Sequence, residues 1–138
     1  KVIATDIDTD ALAKARKGIY PQEQVRKLDE ARVKRFFQKG TGNHIGLARV
    51  RPEVSALVEF MPLNLLAPQW PIKGPFDAIF CRNVMIYFDK ETQAKILKRF
   101  APLMKQDGLL FAGHSENFSY ISDAFKLRGQ TVYTLANK

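Results

Sequence analysis

The sequence predicts an α/β protein built on a largely parallel sheet. Three short apolar runs are typical of buried parallel strands, at residues 2–7, 76–81 and 109–113. Helical segments separate these runs, and strands that alternate with helices favour a parallel sheet. The chain has 138 residues, of which 46% are hydrophobic and 26% charged, so it can form one folded domain with its own core.

The first strand is expected to lead directly into a helix. Asp8 or Thr9 can cap a helix over residues 10–17, because both side chains accept hydrogen bonds from free N–H groups at a helix start. Gly18 then ends the helix, since glycine adopts the left-handed conformation that follows a last turn.

A small antiparallel unit is predicted next. Pro21 opens a second helical stretch, and residues 29–38 predict a third. Residues 45–51 and 56–61 alternate apolar and polar side chains, which is typical of strands with one buried face. We therefore interpret residues 40–61 as a hairpin unit set apart from the α/β segments around it.

The second half of the chain returns to the α/β pattern. Residues 89–104 predict an amphipathic helix, and Asp107 with Gly108 predicts a turn into the strand 109–113. A loop and a short helix are expected up to Phe125. Residues 130–135 alternate again and predict a final strand.

The net charge of +8 is concentrated in one segment. Residues 10–51 hold eleven Lys and Arg against four acids, which is +7 of the total. This segment either attracts an acidic partner or is a solvated helix surface. Nucleic-acid binding is not predicted, because no motif with exposed aromatic residues accompanies the charge. No apolar stretch is long enough for membrane insertion.

The chain offers few nucleophiles or metal ligands. Cys81 is the single cysteine, which excludes an intrachain disulfide and a cysteine-based zinc site, and a reducing cytoplasm is the simplest location. Beside Arg82 it could act as a thiolate, or it could be a small buried core residue. His114 could act as a base but has no partner in the sequence.

Polar residues follow each predicted parallel strand, where sheets of this kind bind ligands. Asp6 ends the first strand, Arg82 and Asn83 end the second, and residues 114–117 follow the third. An acid at a strand end can accept hydrogen bonds from two ribose hydroxyls. With further acids close by, Asp6 could equally cap the following helix.

Three segments form a specific combination: residues 4–8 (Ala-Thr-Asp-Ile-Asp), residues 76–88 (Phe-Asp-Ala-Ile-Phe-Cys-Arg-Asn-Val-Met-Ile-Tyr-Phe) and residues 108–116 (Gly-Leu-Leu-Phe-Ala-Gly-His-Ser-Glu). Together they resemble the CheR family, the S-adenosylmethionine-dependent glutamate methyltransferases of bacterial chemoreceptors. The resemblance covers essentially the whole chain. It implies a Rossmann-like methyltransferase sheet formed by residues 1–39 and 62–138, with residues 40–61 as an inserted antiparallel β-subdomain.

The resemblance implies a site for S-adenosylmethionine, whose product is S-adenosylhomocysteine. Asp6 would bind the ribose hydroxyls, Asn64 and Leu65 would border the adenine, and Arg82 and Asn83 would line the pocket.

Tyr87 and Arg82 are the implied catalytic residues, with Tyr87 facing the reactive methyl group. Otherwise, Tyr87 would be an aromatic core residue at a helix edge. The acceptor glutamate, with a pKa of about 4.3, is already an anion at neutral pH, so the reaction needs alignment more than a base.

The inserted unit resembles the family's docking site for a short peptide at the C-terminus of the chemoreceptor. The residues that would bind this peptide are Lys39, Gly40, Gly42, Gly46 and Arg49. Lys39 stands where an arginine is expected, and a lysine there weakens a bidentate contact with a carboxylate.

Three parts of the family pattern are missing: the glycine-rich cofactor loop, the first strand and a helical N-terminal domain. The chain starts at Lys1 without a leader, which indicates a piece of a larger protein. The missing strand would lie between strands 2–7 and 76–81, so we expect this chain alone to be inactive and unstable as a monomer. An alternative function is a receptor-tail binding module. The complete protein is expected to be a cytoplasmic monomer that acts on the cytoplasmic domain of methyl-accepting chemoreceptors.

Overall fold

The structure, a computed structural model, describes residues 1–136. The chain divides into two compact units, Lys1–Trp70 and Pro71–Lys138. The first unit holds a two-stranded and a three-stranded sheet, and the second holds a four-stranded sheet. The mixed α/β class predicted from the sequence is confirmed. Among the described residues, no helix is long and apolar enough to cross a membrane.

The first unit begins with a parallel strand pair. Strand β1 (Val2–Asp6) lies beside β5 (Val58–Pro62), with Asp6 opposite Pro62. Helix α1 (Thr9–Lys17) follows β1, and the Asp8 side chain accepts hydrogen bonds from the backbone N–H groups of Asp10 and Ala11. Of the two predicted candidates, Asp8 and Thr9, Asp8 is therefore the N-cap.

The three-stranded antiparallel sheet forms the rest of this unit. Its strand order is β2 (Ile19–Pro21), β4 (Leu47–Val50) and β3 (Phe37–Lys39). Helices α2 (Gln22–Val25) and α3 (Glu30–Phe36) connect β2 to β3. A 3-10 turn (Gly42–His44) and helix α4 (Pro52–Ser55) complete the unit.

The hairpin predicted between residues 45–51 and 56–61 is wrong. Strand β4 pairs with β2 and β3, and β5 instead joins β1, where the backbone N–H of Val2 donates to the carbonyl of Leu57. The antiparallel sheet thus extends from Ile19 to Val50. Alternating side chains predict a strand but not its partner, and helix α4 separates β4 from β5.

The second unit is built on the sheet β6-β7-β9-β8. Strand β6 (Phe76–Cys81) is parallel to β7 (Met104–Ala112), and β9 (Val132–Leu135) is antiparallel to both β7 and β8 (Phe125–Leu127). Helix α5 (Lys90–Phe100) connects β6 to β7. No helix is present at residues 113–124, which form a loop with turns, and β8 begins at Phe125, so the prediction of a short helix is wrong.

Two predicted boundaries in the second unit also differ. Helix α5 ends at Phe100 rather than at residue 104, because Pro102 lacks the N–H group that a further helical turn needs. Asp107 and Gly108 lie within β7, at a shift in its register with β6, and do not form a turn before the strand.

The core of the second unit lies on one face of its sheet. Cys81 and Leu110 are buried there, and α5 adds the buried side chains of Ile96 and Leu97. Residues on the opposite face alternate with these, and Phe80 is 69% exposed although its ring stacks on Phe111.

Two strands have an open edge. Within residues 1–136, β1 pairs only with β5, and β6 pairs only with β7. An additional strand between them stays a prediction.

Candidate cofactor site

In the first unit, the ends of β1 and β5 bring together residues that are far apart in the sequence. Because the strands are parallel, their carboxyl ends lie at the same end of the sheet. There the backbone N–H of Leu63 donates to the carbonyl of Asp6 at 3.0 Å. Asn64 and Leu65 follow immediately. The three residues expected around the ribose and adenine are therefore neighbours.

The Asp6 carboxylate is exposed at this end of the sheet. Its Oδ1 accepts a hydrogen bond from the backbone N–H of Asp8 at 3.0 Å, while Asp8 itself caps helix α1. No hydrogen bond to Oδ2 is present within residues 1–136. The capping role that the sequence left open for Asp6 thus belongs to Asp8, and Asp6 keeps an acceptor that faces solvent.

Asn64 starts a tight turn. Its Oδ1 accepts from the N–H of Leu66 at 2.9 Å, and its carbonyl accepts from the N–H of Ala67 at 2.9 Å. The indole N–H of Trp70 donates to the carbonyl of Leu65 at 3.3 Å. These bonds fix the turn, and within residues 1–136 the Nδ2 group of Asn64 donates no hydrogen bond.

In the second unit, the turn that follows β6 holds the residues expected to line the cofactor pocket (Arg82 and Asn83) and to face the methyl group (Tyr87). Asn83 has a φ of +62°, a left-handed conformation that Asn tolerates better than most residues. Met85 is fully buried and anchors the turn, whereas Tyr87 is 81% exposed. The alternative of Tyr87 as a core residue is therefore wrong. Arg82 is also exposed.

Glu116 organises this turn, and it was not among the site residues predicted from the sequence. Its side chain is only 6% exposed. Oε1 accepts from the N–H groups of Gly113 (2.8 Å) and Asn83 (2.9 Å), and Oε2 accepts from the N–H of Ile86 at 3.2 Å. Two features of the sequence point to Glu116. It lies in the polar segment 114–117 that follows the third predicted strand, and it stands three residues after a glycine, a spacing that allows a carboxylate to bond back to the glycine N–H.

Cys81 is not a reactive nucleophile. Burial raises the pKa of its thiol to about 12, and the nearby Glu116 carboxylate acts in the same direction. A thiol with such a pKa carries almost no thiolate at neutral pH. The structure favours the second alternative, in which Cys81 is a buried core residue.

The residues expected to bind a peptide lie in the antiparallel sheet of the first unit and in the loop between β3 and β4. Lys39, Gly40 and Arg49 line a shallow depression of about 200 Å³, together with Ile19 and neighbouring residues. The Nη2 group of Arg49 donates to Oε1 of Gln38 at 2.6 Å.

Gly42 and Gly46 shape the loop beside this depression. They have φ values of +58° and +87°, so they are needed for the turn between β3 and β4. Their role in binding a peptide stays a prediction.

A larger depression of about 360 Å³ adjoins the first, with which it shares Gln38, Lys39 and Ala48, and lies between α2, α3 and the sheet. Arg26, Lys34, Lys39 and Arg51 contribute to its lining. Part of the basic charge of residues 10–51 thus faces a concave surface. Neither depression is at the strand ends that hold Asp6 and Asn64.

Comparison with known proteins identifies the family. A family model described as "CheR methyltransferase, SAM binding domain" matches residues 1–134. The chain belongs to the CheR family. The cofactor expected from the sequence, S-adenosylmethionine (SAM), is the one that this description names, and the expected family is confirmed.

Three similar proteins carry the name chemotaxis protein methyltransferase. The one from Escherichia coli (strain K12) is 62% identical over 136 residues, which are 99% of this chain and 48% of the relative. "Chemotaxis protein methyltransferase 2" of Pseudomonas aeruginosa is 52% identical over 99% of this chain and 49% of its own length. The Borreliella burgdorferi protein is 35% identical over 90% of this chain and 45% of its own length. The chain therefore spans about half the length of the curated relatives it matches.

Proposed function

We propose that this CheR chain belongs to an enzyme that transfers a methyl group from S-adenosylmethionine to glutamate side chains of bacterial chemoreceptors, forming methyl esters. The observation that carries this proposal is the parallel pairing of β1 with β5, in which the N–H of Leu63, the residue before Asn64, donates to the carbonyl of Asp6. These residues follow or end their strands, and sheets of this kind bind ligands at the carboxyl ends of the strands. The names of the similar proteins support methyl transfer in chemotaxis.

The side chains of Asp6 and Asn64, at the carboxyl ends of β1 and β5, fit the cofactor's nucleoside. Asp6 keeps an exposed carboxylate oxygen that can accept from ribose hydroxyls, and Asn64 keeps a donor for an adenine nitrogen. Arg82 and Asn83, which the resemblance also assigns to cofactor binding, follow the end of β6. When bound, the cofactor's sulfonium supplies an activated methyl group.

The acceptor requires little proton chemistry from the protein. A glutamate with an ordinary pKa of about 4.3 is already an anionic nucleophile at neutral pH. Correct alignment of two reactants can contribute roughly 7–11 kcal/mol, so holding the carboxylate in line is the main task. The exposed Tyr87 is available to orient that carboxylate.

The receptor tail would add as a strand along the outer edge of β3. The N–H of Arg51 donates to the carbonyl of Phe36, and the N–H of Gly40 donates to the carbonyl of Leu47. In the antiparallel register these bonds alternate along the strand, so the N–H and C=O of Lys39 point away from β4. They are therefore available to an extended peptide.

The opposite edge of the sheet is a poorer site for strand addition. The N–H of Gln22 donates to the carbonyl of Gly46, so by the same alternation the outward positions of β2 are Ile19 and Pro21. Proline has no N–H group to donate. The positive charges of Lys39 and Arg49 would attract acidic groups of a tail bound at the β3 edge.

We also propose that the complete protein is a cytoplasmic monomer and that this chain by itself lacks methyl transfer. The open edges of β1 and β6 support the second part, because an unpaired strand edge recruits other strands.

The test uses the full-length protein. Calorimetric titration with S-adenosylhomocysteine (SAH) should show micromolar binding that Asp6→Ala weakens. Incubation with radiolabelled SAM and a receptor cytoplasmic fragment should give label on the receptor that mild alkali releases as methanol, as expected of an ester. Absence of SAH binding, or label that resists alkali, would contradict the proposal.

A further inference from the structure

Glu116 is a buried carboxylate without a cationic partner. No ion pair involves it within residues 1–136, and its hydrogen bonds come from the backbone N–H groups of Gly113, Asn83 and Ile86. Burying a carboxylate is costly, and an apolar side chain of similar size would often be more stable at such a position. The buried carboxylate is therefore explained by the backbone geometry that its three hydrogen bonds stabilise.

The three donors come from two separate segments. Gly113 directly follows β7, whereas Asn83 and Ile86 belong to the turn after β6. Inside that turn, only two backbone bonds are seen, from Tyr87 to Val84 at 3.3 Å and from Phe88 to Met85 at 3.0 Å. The Glu116 carboxylate thus joins the turn to the end of β7.

The two oxygens hold different parts of the turn. Oε1 bonds the N–H of Asn83, the residue with the left-handed backbone. Oε2 bonds the N–H of Ile86, the residue before the exposed Tyr87. One carboxylate oxygen therefore fixes the start of the turn and the other fixes its end.

We propose that Glu116 is a positioning residue for methyl transfer, whose carboxylate holds Asn83 in place for the cofactor and Tyr87 in place for the acceptor. This inference rests on the proposed function. It assigns the two tasks to different oxygens, Oε1 to cofactor binding and Oε2 to turnover.

Replacing Glu116 by glutamine separates the two tasks. The amide oxygen of the new side chain should take the Oε1 position, because the reverse orientation would set its NH₂ group against two backbone donors instead of one. Glu116→Gln then keeps the bonds to Asn83 and Gly113 and loses the bond to Ile86. Glu116→Ala loses all three.

Tyr133→Phe is the matched control. The Tyr133 hydroxyl, also buried, accepts from the N–H of Phe118 at 3.0 Å. This variant removes one buried acceptor of a backbone N–H near the same loop but does not touch the turn after β6. It should lower the melting temperature without changing the site.

The experiment measures SAH affinity and steady-state methylation with the full-length variants. Glu116→Gln should keep the dissociation constant for SAH within about threefold while kcat falls at least about tenfold. Glu116→Ala should lower both SAH affinity and kcat by about tenfold or more, and Tyr133→Phe should change neither by more than about twofold. If Glu116→Ala and Tyr133→Phe behave alike at equal loss of melting temperature, Glu116 is merely structural and the proposal is overturned.

A second readout is independent of the cofactor. The amides of Asn83, Gly113 and Ile86 should be protected from hydrogen exchange in the wild type and in Tyr133→Phe, and exposed in Glu116→Ala. Unchanged protection in Glu116→Ala would overturn the proposal. If the wild type fails to bind SAH, the proposed function is wrong, and so is the assignment of Glu116 to cofactor positioning. The hydrogen-exchange protection of the three amides still shows in that case whether Glu116 holds the turn.

Discussion

The side-chain amide oxygen of Asn83 occupies the space that a β-carbon on Gly113 would need. The backbone nitrogen of Asn83 lies 3.0 Å from the same point, so the obstruction is not confined to a movable side chain. Gly113 is buried, and its N–H group bonds to Glu116. The end of β7 and the turn after β6 are therefore packed so closely that only glycine fits.

Gly113→Ala should destabilise the protein by about 1–3 kcal/mol, because the added methyl group must displace Asn83. The free energy of unfolding from urea denaturation measures this loss. Gly129→Ala is the matched control in the same unit, since nothing lies within 4 Å of its added β-carbon, and it should change stability little. Equal stabilities of the two variants would show that the turn moves aside freely.

Substitutions of Asn83 should separate backbone strain from side-chain function. Asn83→Ala places alanine at a φ of +62° and should be about 1 kcal/mol less stable than Asn83→Gly, which tolerates that angle. Both variants lose the amide group, so both should bind SAH more weakly by calorimetry. If Asn83→Gly binds SAH as the wild type does, the side chain has no role in the cofactor site.

Asp6 and Asp8 should show opposite effects. Asp6→Ala should weaken SAH binding by about 1.5–3 kcal/mol, roughly 10- to 150-fold in dissociation constant, through loss of charge-assisted hydrogen bonds. Asp8→Ala removes the N-cap of α1 and should lower the free energy of unfolding by about 1 kcal/mol while leaving SAH affinity nearly unchanged. Unaltered affinity in Asp6→Ala would remove Asp6 from the site.

Proline substitutions should identify the edge that takes the receptor tail. Lys39→Pro removes an N–H that points away from β4, so the sheet should persist while binding of an acidic, aromatic tail peptide falls about tenfold or more. Lys39→Ala removes the charge alone and should reduce binding less. Ile19→Pro makes the equivalent change on the β2 edge. Loss of binding in Ile19→Pro but not in Lys39→Pro would place the peptide on β2.

The Cys81 thiol should make stability depend on alkaline pH. Its pKa is raised from 9.0 to about 12 in the folded protein, first by burial and second by Glu116. Above about pH 9 the unfolded chain releases this proton and the folded protein retains it. The free energy of unfolding should therefore fall by about 1.4 kcal/mol per pH unit towards pH 12.

The difference between wild type and Cys81→Ala isolates this contribution, because the other groups that titrate in this range are common to both proteins. Urea denaturation at about pH 8, 9, 10 and 10.5 gives the comparison. The native thiol should also react slowly with a disulfide reagent near neutral pH and rapidly after unfolding. Parallel pH profiles for the two proteins would show that Cys81 ionises normally when folded.

Predictions from the sequence succeeded where the signal was local. The strands at residues 2–6 and 76–81 were apparent from their apolar runs, and Asp8 from its place before a helical segment. Capping involves a side chain and N–H groups two or three residues away, so it needs no knowledge of the rest of the fold. The end of α5 is also set locally, because Pro102 lacks the N–H group that a further helical turn needs.

Other features depend on contacts between distant residues. The sequence by itself determined the family and the position of Asp6 at the end of an apolar strand. Only the tertiary structure decided that β5 pairs with β1 and that Glu116 joins Gly113 to the turn after β6. The physical reason is that strand pairing and the burial of a carboxylate are decided by hydrogen bonds to backbone groups, which have the same chemistry at nearly every residue and leave no mark in the side-chain pattern.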